Sequence, residues 1–370
     1  MTYRTATIGD IASVQTGPFG SQLHNKDYVP VGTPIVTVEH LGQRKMTRQN
    51  LPCVSDDDKQ RLLKYTLEYG DLVFSRVGSV DRCSLVSEEE NGWLFSGRCL
   101  RVRPNDPNEI YHKYLYCFFS LESTKDFVRN IAVGATMPSV NTRLLSEVPI
   151  TFPSIEEQRK IADTISALDD KIEINTKINH HLEQMAQAIF LDLCSEGENA
   201  VLSDILTVCY GKDHKKISEG EVPCYGSGGI MRYVDEALYS GESVLIPRKG
   251  SLNNVLYINE PFWTVDTMFY TNMKRPNVAK FVYFTVRKLD LAGMNVGSAV
   301  PSMTTAVLNA LEIVLPSKDN LEIFEETVSP MFLQMKANNT ESARLAALRD
   351  ALLPKLISGE LSVADLGDAK

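Results

Sequence analysis

From Ile161 onward apolar residues recur at alternating steps of four and three: Ile161, Ile165, Leu168, Ile172, then Asn175 and Asn179, then Leu182, Ala186 and Ile189. Such steps draw a seam along one side of an α-helix, the pattern by which two helices pair. The seam returns 163 positions later as Phe324, Val328, Met331, Met335, Asn338, Ser342, Leu345, Arg349 and Leu352. Both copies turn polar at mid-length. A buried Asn costs stability but fixes register, because a partner out of step leaves its amide unpaired. The two copies are expected to pair with each other, antiparallel around a pseudo-twofold axis. Ile165, Leu168, Ile172, Asn175, Leu182 and Ile189 would face Val328, Met331, Met335, Asn338, Leu345 and Leu352.

Start and stop signals set the helix limits. Ser154 stands before Glu156, Glu157 and Gln158, a cap followed by carboxylates that favour the positive end of a helix. A helix over 155–193 spans roughly 58 Å. Ser317 and Asp319 open the second copy, and Gly197 and Gly359 follow the two helices. Pro330 predicts a kink or a late start, and residues after Ala364 read as a frayed tail.

The repeat reaches into the segments before the helices. Val133, Gly134, Pro138, Ser139, Thr142, Leu145, Ile150, Pro153 and Ser154 fall on Val296, Gly297, Pro301, Ser302, Thr305, Leu308, Ile313, Pro316 and Ser317, nine identities in 22 positions without a gap. Asp10, Ile11, Val14 and Gly17 match Asp204, Ile205, Val208 and Gly211 at an offset of 194, so the first globular segment is longer by 31 residues, expected as loop insertions. Gly70 to Ser79 matches Gly241 to Ser251 with one inserted residue, each a buried strand ending in a basic, glycine-containing loop.

Short apolar runs predict strands at Ile35 to Val38, Leu72 to Ser75, Leu100 to Arg103 and Val148 to Phe152, with a helix from Tyr111 to Asn130. The second segment echoes them at Ser243 to Ile246, Val255 to Ile258, Thr267 to Thr271 and Leu311 to Leu315, with a helix from Val278 to Leu289. The expected class is α+β. Two mixed globular domains, 1–154 and 199–316, alternate with long helical segments, 155–198 and 317–370.

Charge sharpens this division. The globular segments balance, 17 basic against 17 acidic residues and 11 against 11, so the whole net charge of −9 lies in the helical segments. A neutral domain can still carry a basic face. No apolar run is long enough for a membrane span and the first residues do not open a signal peptide, so a cytoplasmic protein is expected. Seven scattered cysteines, none at CxxC spacing, read as free thiols.

Catalytic signatures are missing from the sequence: no phosphate loop, no HExxH, no GxSxG elbow, no GxGxxG and none of the N/D-P-P-Y/F tetrapeptides of amino-methyltransferases. Tyr225 to Gly229 is glycine-rich but lacks the Lys-Ser/Thr pair of a phosphate cradle. His180 and His181 are adjacent on a helix and face different directions. Neither a catalytic residue nor a metal ligand is expected.

Thr16-Gly17-Pro18-Phe19-Gly20-Ser21 with Asp27, Tyr28 and Gly32, then Tyr225 to Ile230 with Tyr233, Arg248, Lys249 and Gly250, resemble the openings of two target recognition domains of type I restriction-modification specificity (S) subunits. Glu156-Glu157-Gln158, Leu168 to Asn175, Leu182 to Phe190 and Leu352 to Glu360 are similar to that family's helical regions. The resemblance implies a non-catalytic subunit. Each globular domain would read one half of a bipartite, asymmetric site in double-stranded DNA, and the helices would set the spacer. Two modification subunits carrying S-adenosylmethionine would dock on the helices, and restriction subunits would bring ATP and Mg; this chain would hold no cofactor itself. Half-sites about one turn, 34–36 Å, apart suit two readers on a stiff strut.

Base edges in the major groove favour polar and basic side chains on loops. The candidates are Gln22, Asn25, Lys26, Arg44, Lys45, Arg76, Ser79, Arg82, Ser139, Asn141 and Arg143 in the first domain. Lys212, His214, Lys215, Lys216, Arg248, Lys249, Asn253, Asn254, Ser302, Thr304 and Thr305 are those of the second. Two other readings stay open on the residues alone: a remnant of a fused methyltransferase, and a scaffold whose domains bind protein.

Overall fold

A computed structural model describes residues 3–20, 22–294 and 302–367. Of the repeat's matches, Val296, Gly297 and Pro301 lie outside the described residues. The chain forms two units, Met1–Ile174 with Glu341–Lys370, and Asn175–Thr340. Each long helix, Ile155–Leu193 and Lys318–Ser358, gives one end to each unit.

In the first unit four antiparallel strands run in the order Ala12–Thr16, Cys99–Pro104, Leu72–Ser75, Cys83–Leu85. The second unit has the same order: Leu206–Tyr210, Met268–Met273, Glu242–Pro247, Leu256–Asn259. A two-stranded pair beside the sheet also recurs, Arg4–Thr7 with Pro149–Phe152 and Glu198–Val201 with Glu312–Leu315. The duplication is thus one of topology.

The extra residues of the first domain are not simple loops. The offset between matched positions falls from 194 at Gly17 to 172 at Arg76, so 22 of the 31 added residues precede the strand Leu72–Ser75. There the chain forms Tyr28–Val29, Thr33–Val36 and Cys53–Val54, which join Leu94–Phe95, from beyond that strand, in a second sheet. Ile35, Val36, Val54, Leu62, Leu94 and Phe95 give it a core of its own. The second unit has only a three-stranded sheet of Gly229–Val234, Val222–Gly226 and Trp263–Thr264 in that place.

The seam residues do what their spacing requires. Ile161, Ala162 and Ile165 join Leu353, Leu356 and Ile357 in the core under the first domain, while Leu168, Ile172, Leu345 and Leu352 are half-buried. In the second unit Ala186, Phe190, Phe324, Val328 and Phe332 enter the domain core, with Ile189, Met331 and Met335 packed against it; Leu182 is half-buried. Ion pairs Asp169–Arg349 and Lys171–Glu341 in one unit show that numbers rise along one helix as they fall along the other. The bonds from Asn175 to the Asn338 carbonyl and from Asn320 to the Leu193 carbonyl show the same in the other unit.

The polar break is buried, as the spacing predicts. Asn175 and Asn338, mates in the repeat, are almost without exposure. Asn338 donates to Oδ1 of Asn179 at 2.8 Å, and Asn179 donates to Oδ1 of Asn339 at 2.8 Å. This register joins Asn179 side chain to side chain with Asn338 and Asn339.

Three expectations need correction. Pro330 does not bring the late start: the helix already begins at Lys318 and runs over Lys318–Ser358; Pro330 is exposed, so the carbonyl it frees one turn back can meet water. The predicted helix over Tyr111 to Asn130 is two helices, His112–Ser120 and Glu122–Ile131. Ser120 Oγ donates to the Tyr116 carbonyl at 2.8 Å, taking an acceptor at the end of the first helix. The tail is not wholly frayed: Val363–Gly367 is a helical turn, and Leu361, Val363 and Leu366 pack on the first core.

Gln158 latches the first long helix to its domain. It is wholly buried, accepts from the Tyr111 amide at 2.9 Å, and donates to the Glu109 and Pro153 carbonyls at 3.0 Å each. At the matching place of the repeat stands Leu321, buried in the second core. Gln158→Leu strands three backbone groups and is expected to cost about 2 kcal/mol in denaturant unfolding, whereas Leu321→Met should cost under about 1.5 kcal/mol.

His112 sets an acid limit on the first unit. Its ring meets Tyr69 and Tyr111 edge-on at 4.9 and 4.7 Å, and Nε2 is buried without a partner. Burial, helped by Lys113 and Arg159, brings its pKa down to about 4. Between the ordinary value near 6.5 and this one, the unfolded chain binds a proton that the folded chain refuses. Stability must therefore fall as pH drops from about 6.5 to 4. His112→Phe should flatten that limb of a stability–pH curve, and parallel curves for the two proteins would refute the assignment.

Candidate nucleic-acid interface

The two basic loops are built alike. Strand Leu72–Ser75 is buried throughout and runs out at Arg76; Glu242–Pro247 runs out at Arg248. Gly78 and Gly250 follow with φ of 75° and 83°, a turn open to glycine at no steric cost. Each arginine is pinned through its backbone. The Arg76 amide donates to the Arg98 carbonyl and its carbonyl accepts from Val140; the Arg248 amide donates to the Thr267 carbonyl and its carbonyl accepts from Met303, all at 2.8 to 2.9 Å. Val77 bridges to Ser139 and Lys249 to Ser302. Of these partners, Ser139 and Val140 match Ser302 and Met303 in the segment that repeats at an offset of 163.

Each guanidinium lies on a ring. Arg76 Cζ is 5.0 Å from the centre of Phe19, and Arg248 Cζ is 5.3 Å from that of Tyr210. One nitrogen of each is held by a carbonyl, that of Gly97 at 3.3 Å and that of Asp266 at 3.2 Å. Phe19 and Tyr210 are half-exposed, at 50% and 52%. Among the described residues neither arginine forms an ion pair. Both rings flank a glycine that the fold demands: a Cβ on Gly17 would stand 2.2 Å from the Ser96 oxygen, and one on Gly211 2.1 Å from the Val265 oxygen.

The remaining candidates divide. Ser79 and Arg82 are exposed beside Arg76, and Ser139 is tied to that loop. Around Arg248 the structure gathers Lys249, Ser302, Asn254, whose amide donates to the Ser227 carbonyl, and Thr305, whose hydroxyl meets that of Tyr210. Asn253 is exposed nearby in sequence. Lys212, Lys215 and Lys216 are exposed on the loop after Leu206–Tyr210, with His214 half-buried among them. Lys26 is exposed, and the Asn25 side chain lies outside the described residues.

Several candidates are engaged by the protein itself. Arg44 pairs with Asp170 and Lys45 with Glu173, both at 2.6 Å on the first long helix. Gln22 accepts from the Tyr65 hydroxyl at 2.6 Å. Asn141 and Thr304 cap the short helices Thr142–Ser146 and Thr305–Asn309, and Arg143 pairs with Glu147 one turn on. Loop position and residue type do not reveal such partners. Phe19 and Tyr210 were missed in turn, although an aromatic within two residues of the repeated glycine is a signal both domains carry.

Cys83, Cys99, Cys117 and Cys194 are free thiols pushed up by burial to about 12, and His180 and His181 are exposed. Among the described residues no group of three His, Cys, Asp or Glu is placed to hold a metal ion, and no helix is long and apolar enough to cross a membrane.

Comparison with known proteins bears on the family and the fold. A family model described as the type I restriction modification DNA specificity domain matches twice, over 2–184 and 197–341. The MjaIX type I restriction enzyme specificity subunit of Methanocaldococcus jannaschii is 25% identical over 305 residues, 70% of this chain and 71% of that protein. The HindI specificity subunit of Haemophilus influenzae is 22% identical, covering 80% and 88%. The crystal structure of a type I restriction-modification S subunit from M. genitalium superposes with a TM-score of 0.64 over 96% of each chain at 18% identity, a likeness of fold.

Proposed function

This chain belongs to the type I restriction-modification DNA specificity family, and from that premise we propose how it works as the complex's specificity subunit. Each globular domain reads one half of a bipartite DNA site, and modification subunits dock on the long helices. The observation that carries this is the pair of basic loops, pinned alike in both domains but set among unlike neighbours. Where the second domain has Lys212, His214 and Asn254, the matching positions of the first carry Pro18, Gly20 and Arg82. Two readers of one design and different surfaces call for two different half-sites.

The chain itself is assigned no catalytic step. S-adenosylmethionine belongs on the modification subunits, and ATP and Mg on restriction subunits where these assemble. The acidic excess of the helices repels phosphate and leaves DNA to the domains. A gel-shift series tests the reading. The purified chain with its modification subunits should prefer one bipartite site by about 10³-fold or more over random duplex at moderate salt; equal binding to all duplexes contradicts it.

A further inference from the structure

We propose that Arg76 on Phe19 and Arg248 on Tyr210 are matched anchors for the DNA backbone, each binding a phosphate and reading no base. The inference rests on the DNA-specificity reading above and adds a division of labour within each domain.

The rings come from different places in the repeat. Aligned on Gly17 and Gly211, Phe19 lies two residues after the glycine and Tyr210 one before it. The sequence match therefore does not supply the ring, yet both arginines end on one, with one nitrogen on a carbonyl and the backbone held by the repeated segment. What the two domains share is the arrangement.

Three other arginines of the two domains are neutralised: Arg44 by Asp170, Arg143 by Glu147, Arg129 by Asp81. Arg76 and Arg248 form no ion pair among the described residues, and their remaining N–H groups are fixed in direction by ring and carbonyl. A fixed, uncompensated guanidinium fits the paired oxygens of a phosphate. A guanine edge offers paired acceptors too. The duplication decides between them, because two unlike half-sites share no base by rule and always share the sugar-phosphate backbone.

The test uses the full complex with modification subunits, and Arg76→Ala, Arg248→Ala, the double variant, and Arg76→Lys with Arg248→Lys to keep charge. Each alanine should weaken target and random duplex by the same factor, about tenfold. Each should lower the slope of log affinity against log salt by about one. The preferred sequence should not change, and the lysine variants should keep the salt slope while losing part of the affinity. Loss of discrimination at one base pair, or unchanged affinity in well-folded alanine variants, overturns the proposal. Absence of sequence preference in the unmodified complex refutes the function itself, a separate outcome.

Discussion

Lys280→Met is expected to destabilise the second unit by about 3–5 kcal/mol, the cost of removing one partner from a buried charge network. The ammonium, 5% exposed, lies 2.8 Å from Glu242 and also pairs with Glu325. The Tyr257 and Phe332 rings cover it at 5.1 and 5.8 Å. Tyr257 donates to Glu242, and Ser329 to Glu325 at 2.8 Å. Helix Ala279–Lys288, strand Glu242–Pro247 and the second long helix therefore meet on one cation. Without it two carboxylates face each other across an apolar wall. Since the charges are the cause, Lys280→Met with Glu325→Gln should recover a good part of the loss in urea unfolding. No recovery would point to lost packing of the lysine stem instead.

Gly17→Ala ranks next, at about 3 kcal/mol. The added methyl would meet the Ser96 carbonyl oxygen at 2.2 Å and the Phe95 oxygen at 2.7 Å, backbone atoms that cannot step aside as a side chain can. The end of Ala12–Thr16 must then part from the strand Cys99–Pro104, and Phe19 moves with it, away from Arg76. The variant should lose both stability and DNA affinity. Gly20→Ala is the control three residues on, where no atom lies within 4 Å of the new carbon; it should change stability by less than about 0.5 kcal/mol. Equal effects at the two positions would remove the steric argument.

How much of this was legible in the sequence depends on the range of the contact. The seam was, because its period is a local property: Ile165, Asn175, Val328 and Asn338 are buried where the steps of three and four put them. Strand Leu72–Ser75 and helix Ile155–Leu193 fall on their expected limits for the same reason. The break after Ser120 was not legible, since a hydroxyl turned back on a carbonyl uses a residue also tolerated inside helices. Nor was the passage of Pro330, which depends on its facing solvent.

The candidate site shows the same limit. Residue type marked Arg44 and Arg76 equally, yet one is spent on Asp170, 126 positions away, and the other stands on Phe19. Only the fold separates a brace from a guanidinium left without an ion pair. The duplication helps, because a feature rebuilt in both domains from non-matching residues points to a shared task.

The central claim is that two unlike domains on one helical frame specify a bipartite DNA site. Long-read sequencing of genomic N6-methyladenine, in strains with and without the gene, tests it most directly. A motif of two defined halves separated by a fixed unspecified spacer should be methylated in the first strain and absent from the second. Exchanging residues 199–316 for those of a relative should change one half and leave the other. A methylome that does not change when the gene is removed would contradict the account.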